Sequence, residues 1–140
     1  MTQSTSAKLM RIVSYGFILF AVVWGVAPYG PIGEPSRLLL DLLDWPLGDA
    51  APAMNRSSMW LSSIGAGLTA ALCIMLLGIV APALERGDKG VVRIAVLAIV
   101  VWFVVDSAGS IAAGVASNAG FNVILLAAAL APLLGVQYEK

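Results

Sequence analysis

Asp106 is the one acid that falls inside an apolar run of this chain. The stretch 99–122 reads IVVWFVVDSAGSIAAGVASNAGFN, so small and polar residues surround it on the C-terminal side: Ser107, Gly109, Ser110, Gly114, Ser117, Asn118 and Asn122. A carboxyl group in such a setting has two chemical uses. It can handle a proton or a cation along a path, as intramembrane acids often do. It can also be a structural hydrogen-bond node that holds two helices together. No relay partner accompanies Asp106 in the sequence, which favours the node. The chain contains no histidine, the commonest metal and haem ligand and the usual general base near neutral pH. Its single cysteine, Cys73, lies within an apolar run and reads as a small core residue. Asp41, Asp44 and Asp49 are spaced for a helix surface rather than a metal cage. No catalytic, cofactor-binding or metal-binding residue is assigned, and no cofactor is expected.

Composition decides where such a carboxyl must live. The chain has 140 residues, 60% hydrophobic and 11% charged. A soluble domain carries about 25% charged residues, so this chain cannot dress a surface for water. The length suits a single unit, residues 1–140, of about four spans at roughly 20 residues each. The net charge is zero, which argues against a nucleic-acid partner. The expected class is all-α: a polytopic membrane protein with four transmembrane helices and the lipid bilayer as its first partner.

Polarity places the elements. Lys8 and Arg11 precede an apolar run over about 9–27. This has the build of a signal peptide. The only small-residue cut, after Ala27, would put Pro28 beside it, so the run reads as a retained first span. Ala21 and Gly25 lie four apart on one face, where another helix can approach. PYGPIG at 28–33 is a turn. From Pro35, Arg37, Asp41 and Asp44 share one helical face, and Leu38, Leu39, Leu42, Leu43 and Trp45 the other. This is an amphipathic helix over about 35–45, too short to span, expected in the interface plane. A linker containing Pro52 leads to a second span over about 58–83, with Asn55 or Ser57 as its cap. There Ser62, Ala66, Thr69 and Cys73 form a small stripe, with bulky Leu61, Ile64, Leu68, Leu72, Met75 and Ile79 opposite. Pro82 and the turn ERGDKG at 85–90 end it. The third span covers about 91–115 and the fourth about 121–136.

Basic residues orient these spans. Lys8, Arg11, Arg86, Lys89, Arg93 and Lys140 fall on one side, and Arg37 and Arg56 on the other. The positive-inside rule then puts both termini and the 85–90 turn in the cytoplasm. If the third helix runs straight to Val115, Asp106 sits about 20 Å beyond Arg93, just outside the midplane. Its own stripe would be Trp102, Gly109, Ser110, Ala113 and Ser117. A charge there costs several kcal/mol, so the carboxyl is expected protonated, hydrated, or bonded to Ser110, Thr69 or Asn122. If the helix instead stops near Asp106–Ser110, the stretch to Gly120 is an outer loop and Asp106 an interfacial cap.

The run WFVVDSAGSIAAGVASNAGFNVILLAAALAPLL resembles the C-terminal part of small bacterial four-span integral membrane proteins of uncharacterised function. The shared features are Trp102 and Phe103 before Asp106 and Ser107, the step Gly109–Ser110, Asn122 opening the last span, and Pro132 closing it. The resemblance implies a bacterial inner-membrane location and imports no activity. Small multidrug exporters carry an acid in their first span, and this first span has none. Three functions compete. One is an accessory or scaffold protein packing on other membrane helices, its own copies or a larger complex. Another is an oligomeric transporter or channel using Asp106. The last is a lipid enzyme, for which the sequence supplies no nucleophile with a base.

Overall fold

A computed structural model describes residues 1–26, 28–29, 34–46 and 55–138. Its elements are all helical: α1 (Gln3–Val26), α2 (Glu34–Leu43), α3 (Arg56–Met75), a π turn (Leu76–Val80), α4 (Ala81–Arg86), α5 (Lys89–Ala112) and α6 (Ala116–Leu134). The stretch from α3 through the π turn to α4 is one continuous rod. With α1, α5 and α6 it makes four helices long and apolar enough to cross a membrane. The expected turn over 30–33, the linker over 47–54 with Pro52, and Asp49 lie outside the described residues.

Small residues let the first rod meet the second. Ala21 is buried in the α1–α3 contact. A Cβ on Gly25 would meet the Ala66 methyl at 3.0 Å, and one on Gly65 would meet the Trp24 ring at 2.5 Å. The small stripe of α3 is therefore used within the fold. Ser62, Ala66 and Cys73 are buried, whereas Leu61, Ile64, Leu68, Met75 and Ile79 are exposed. In a bilayer the bulky side meets lipid tails while the small side lets backbones approach.

The second rod continues three residues beyond the expected stop at 83, through Pro82 to Arg86. Proline cannot donate to the helical ladder, and its ring clashes with the carbonyl four residues back. The π turn ends at Val80, with only Ala81 between it and Pro82, and the Ala81 N–H donates to the Leu76 carbonyl across the wider loop. The ladder has already been opened where Pro82 would have broken it. Beyond this point the apolar core assembles: Ala7, Met10, Leu76, Val80, Leu84, Val92, Ala95, Ile99, Ala129 and Leu133 form one cluster. These come from the start of α1, the end of the second rod, the start of α5 and the end of α6. The core thus occupies one end of the bundle.

Two glycine caps reverse the chain at opposite ends. After α4, Gly87 takes φ +70°. Its N–H bonds the Leu84 carbonyl, and the Asp88 N–H bonds Ala83. After α5, Gly114 takes φ +85°, its N–H bonds Ile111, and the Val115 N–H reaches Ser110 at 2.8 Å. Both are Schellman motifs, which need a left-handed residue where glycine carries no Cβ penalty. Asp88 then caps α5, accepting from the N–H groups of Gly90 and Val91 at 3.0 and 3.1 Å. The first residue closes the same end: the Met1 amine donates to the Gly135 carbonyl at 2.7 Å.

The helix α2 touches α1 and the start of α6. It ends at Leu43, so Asp44 and Trp45 come after the helix rather than belonging to it. Leu38, Leu42 and Trp45 are exposed.

Candidate functional site

Of the two geometries open for the third span, neither holds in full. The helix α5 runs past Asp106 to Ala112, three residues short of Val115, and reverses at Gly114. The next helix begins at Ala116, five residues before Phe121. There is thus no outer loop from 106 to 120, and Ser117 and Asn118 belong to the first turn of α6. Asn122 lies further inside that helix rather than at its opening.

This hairpin folds the polar residues against each other. Asp106 Oδ1 accepts from the Ser110 hydroxyl at 3.3 Å and from Asn118 Nδ2 at 3.4 Å. Asn118 Nδ2 also donates to Ser110 Oγ at 2.8 Å. Deeper in the bundle, Asn122 Nδ2 donates to Ser107 Oγ at 3.2 Å, with both residues buried. Ser117 extends the seam outward: its hydroxyl donates to the Leu43 carbonyl and accepts from the Trp45 N–H. A continuous polar clasp therefore runs from α2 over the start of α6 and onto α5.

The positions differ in part from expectation. Ser110 meets Asp106. Asn122 sits beside the cluster and pairs with Ser107 instead. Thr69 is elsewhere, donating to its own Gly65 carbonyl at 2.9 Å. The reason is packing order: α5 lies along α6, while the helix carrying Thr69 lies along α1. The buried stripe of α5 is Val92, Ala95, Ile99 and Ser107, so Asp106 is half-buried at its margin and Gly109 and Ala113 are exposed. Asn118 is a partner that the spacing along one helix does not suggest. Its signal is the glycine at 114, which permits a reversal tight enough to bring residue 118 back over 106.

No metal-holding group of three or more His, Cys, Asp or Glu exists among the described residues. An open cavity of about 730 Å³ lies between Tyr29, Arg56, Ser57, Met59 and Trp60. A shallower one of about 300 Å³ lies in the α1–α3 groove beside Ala21, Gly25 and Gly67. Asp106 lines neither. Its carboxyl instead faces hydrogen-bond donors from its own hairpin.

No family model matches this chain, and neither a curated protein nor a solved structure matches it.

Proposed function

We propose that this chain is an integral membrane accessory or scaffold protein. It packs on other membrane helices, either its own copies or a larger complex. The observation that carries this reading is the clasp itself: Asp106 is engaged by Ser110 and Asn118, in the manner of a structural node. The exposure of the spans supports it. Between 17% and 28% of each apolar window is buried within the chain, which leaves wide lateral faces for lipid or helices. In this reading α2 lies in the outer interface, with exposed Leu38 and Leu42 toward the acyl region. The basic end faces the cytoplasm of a bacterial inner membrane, with both termini on that side.

The test is the composition and mass of the complex drawn gently from native membranes. The reading requires a stoichiometric partner or a defined oligomer. An oligomer with no other partner that moves protons or cations in reconstituted vesicles, with flux abolished by Asp106→Asn, would replace it with transport.

A further inference from the structure

At the end where Met1 meets the close of α6, cations gather around one acid. Arg11 Nη1 donates to Glu85 Oε1 at 2.9 Å, and Lys8 and Arg86 act electrostatically on the same carboxylate. Lys8 lies one turn before Arg11 on α1, and Arg86 follows Glu85 at the end of α4, so among the described residues positive charge exceeds negative around this pair. Three further charged groups of this end, among the described residues, have partners of their own. Asp88 caps α5, the Met1 amine bonds Gly135, and Lys89 lies 4.9 Å over the Tyr138 ring. The position of this cluster along α1 gives it a use. At 100° per residue, Lys8, Arg11, Ile12, Tyr15 and Leu19 share one helical face. Ile12, Tyr15 and Leu19 are 68%, 65% and 66% exposed, while the opposite face, with Met10 and Ser14, is buried in the bundle. A basic head region therefore continues directly into an exposed apolar track, the order of groups in a phospholipid.

We infer that the seam between α1 and α4 binds an anionic phospholipid, its phosphate beside Lys8, Arg11 and Arg86 and one acyl chain along Ile12, Tyr15 and Leu19. The occupant is a lipid rather than a free anion because the apolar track is continuous with the charges. A neutral headgroup leaves the excess positive charge uncompensated. The inference rests on the membrane reading, though not on the accessory role.

The test is native mass spectrometry of the full chain in detergent, titrated with dioleoyl-phosphatidylglycerol and, separately, dioleoyl-phosphatidylcholine. The anionic phosphatidylglycerol should bind at least about tenfold more tightly, and Lys8→Gln and Arg86→Gln should each weaken it about fivefold, the effect of one interfacial charge. Glu85→Gln removes the acid at the centre of the cluster and should tighten binding about fivefold, a gain that misfolding cannot produce. Arg56→Gln, at the other end, should change nothing. Equal affinity for the two lipids, or equal loss from Arg56→Gln, overturns the inference. So does displacement of phosphatidylglycerol by millimolar inorganic phosphate, because the acyl track would then contribute nothing. Failure of the chain to stay in membranes at alkaline pH would instead remove the membrane reading, a result read independently of lipid choice.

Discussion

Replacing Asp106 by asparagine and by leucine separates a node from a working carboxyl. In the structure Asp106 Oδ1 accepts two hydrogen bonds, at 3.3 and 3.4 Å. Both exceed the usual range of about 2.7–3.2 Å, so each contributes near the lower limit, about 0.5 kcal/mol. That agrees with the mean of about 0.6 kcal/mol for side-chain bonds between membrane helices. Asparagine keeps the Oδ1 acceptor and exchanges Oδ2 for an amide donor. Its cost should stay under about 0.5 kcal/mol, since both hydrogen bonds to Oδ1 can remain. Leucine removes both acceptor interactions and should cost about 1 kcal/mol, no more, because Asn118 keeps its 2.8 Å bond to Ser110. The assay is equilibrium unfolding in mixed micelles with increasing dodecyl sulfate, read by helical circular dichroism. If asparagine cost as much as leucine, keeping the Oδ1 acceptor would not be what the fold requires, and Asp106 would not be a simple acceptor node.

The deeper pair should show true coupling. In a double-mutant cycle, Ser107→Ala with Asn122→Ala should yield an interaction of about 0.6 kcal/mol in the same assay, and additive losses would mean the 3.2 Å bond contributes nothing. Gly65→Ala must displace the Trp24 ring, 2.5 Å from its new Cβ, and should cost about 1–3 kcal/mol. Gly67→Ala on the same helix meets nothing within 4 Å and should be neutral to slightly stabilising, so equal effects at 65 and 67 would refute the close α1–α3 approach. Gly114→Ala forces a Cβ onto φ +85° and should cost about 1–2 kcal/mol, checked by thermal unfolding in detergent. Asp88→Ala removes the α5 cap and should cost about 1 kcal/mol. Hydrogen exchange should localise that loss to Gly90 and Val91, and uniform exchange would count against the capping role.

The two faces of the second rod are legible in the sequence because lipid sorts side chains by size: Ser62, Ala66 and Cys73 turn inward and Leu61, Leu68 and Met75 outward. The four spans are legible for the same reason, since length and apolarity are additive along a helix. The ends of the helices are less so. Ser117 and Asn118 look like loop residues, yet they form the first turn of α6, where Asn118 bonds back across the hairpin to Ser110 and Ser117 bonds the Leu43 carbonyl at the end of α2. Depth alone assigns Thr69 to the node, and depth does not say which helices are neighbours. Pro82 reads as a stop because a proline breaks a regular ladder; the π turn before it, which no local pattern marks, removes that conflict. The inward stripe of α5 is centred on 107, one residue from the 106 that the lone acid suggests, and this turns Gly109 and Ala113 outward.

That π turn also acts as a phase shifter. It holds more residues per turn than the helix on either side, so α4 is rotated relative to the α3 register. Deleting one residue from 76–80 would heal the ladder and leave everything downstream facing as it does, with Leu84 in the core and Glu85 beside Arg11. Keeping the full length but forcing 76–80 into regular α-helix would instead turn α4 by about 100°, swinging Leu84 out of the core and Glu85 away from Arg11, while α3 and its contact with α1 stayed in place. The two ends of the second rod are therefore set independently: α3 by small residues against α1, and α4 by the hydrogen-bond pattern of one turn.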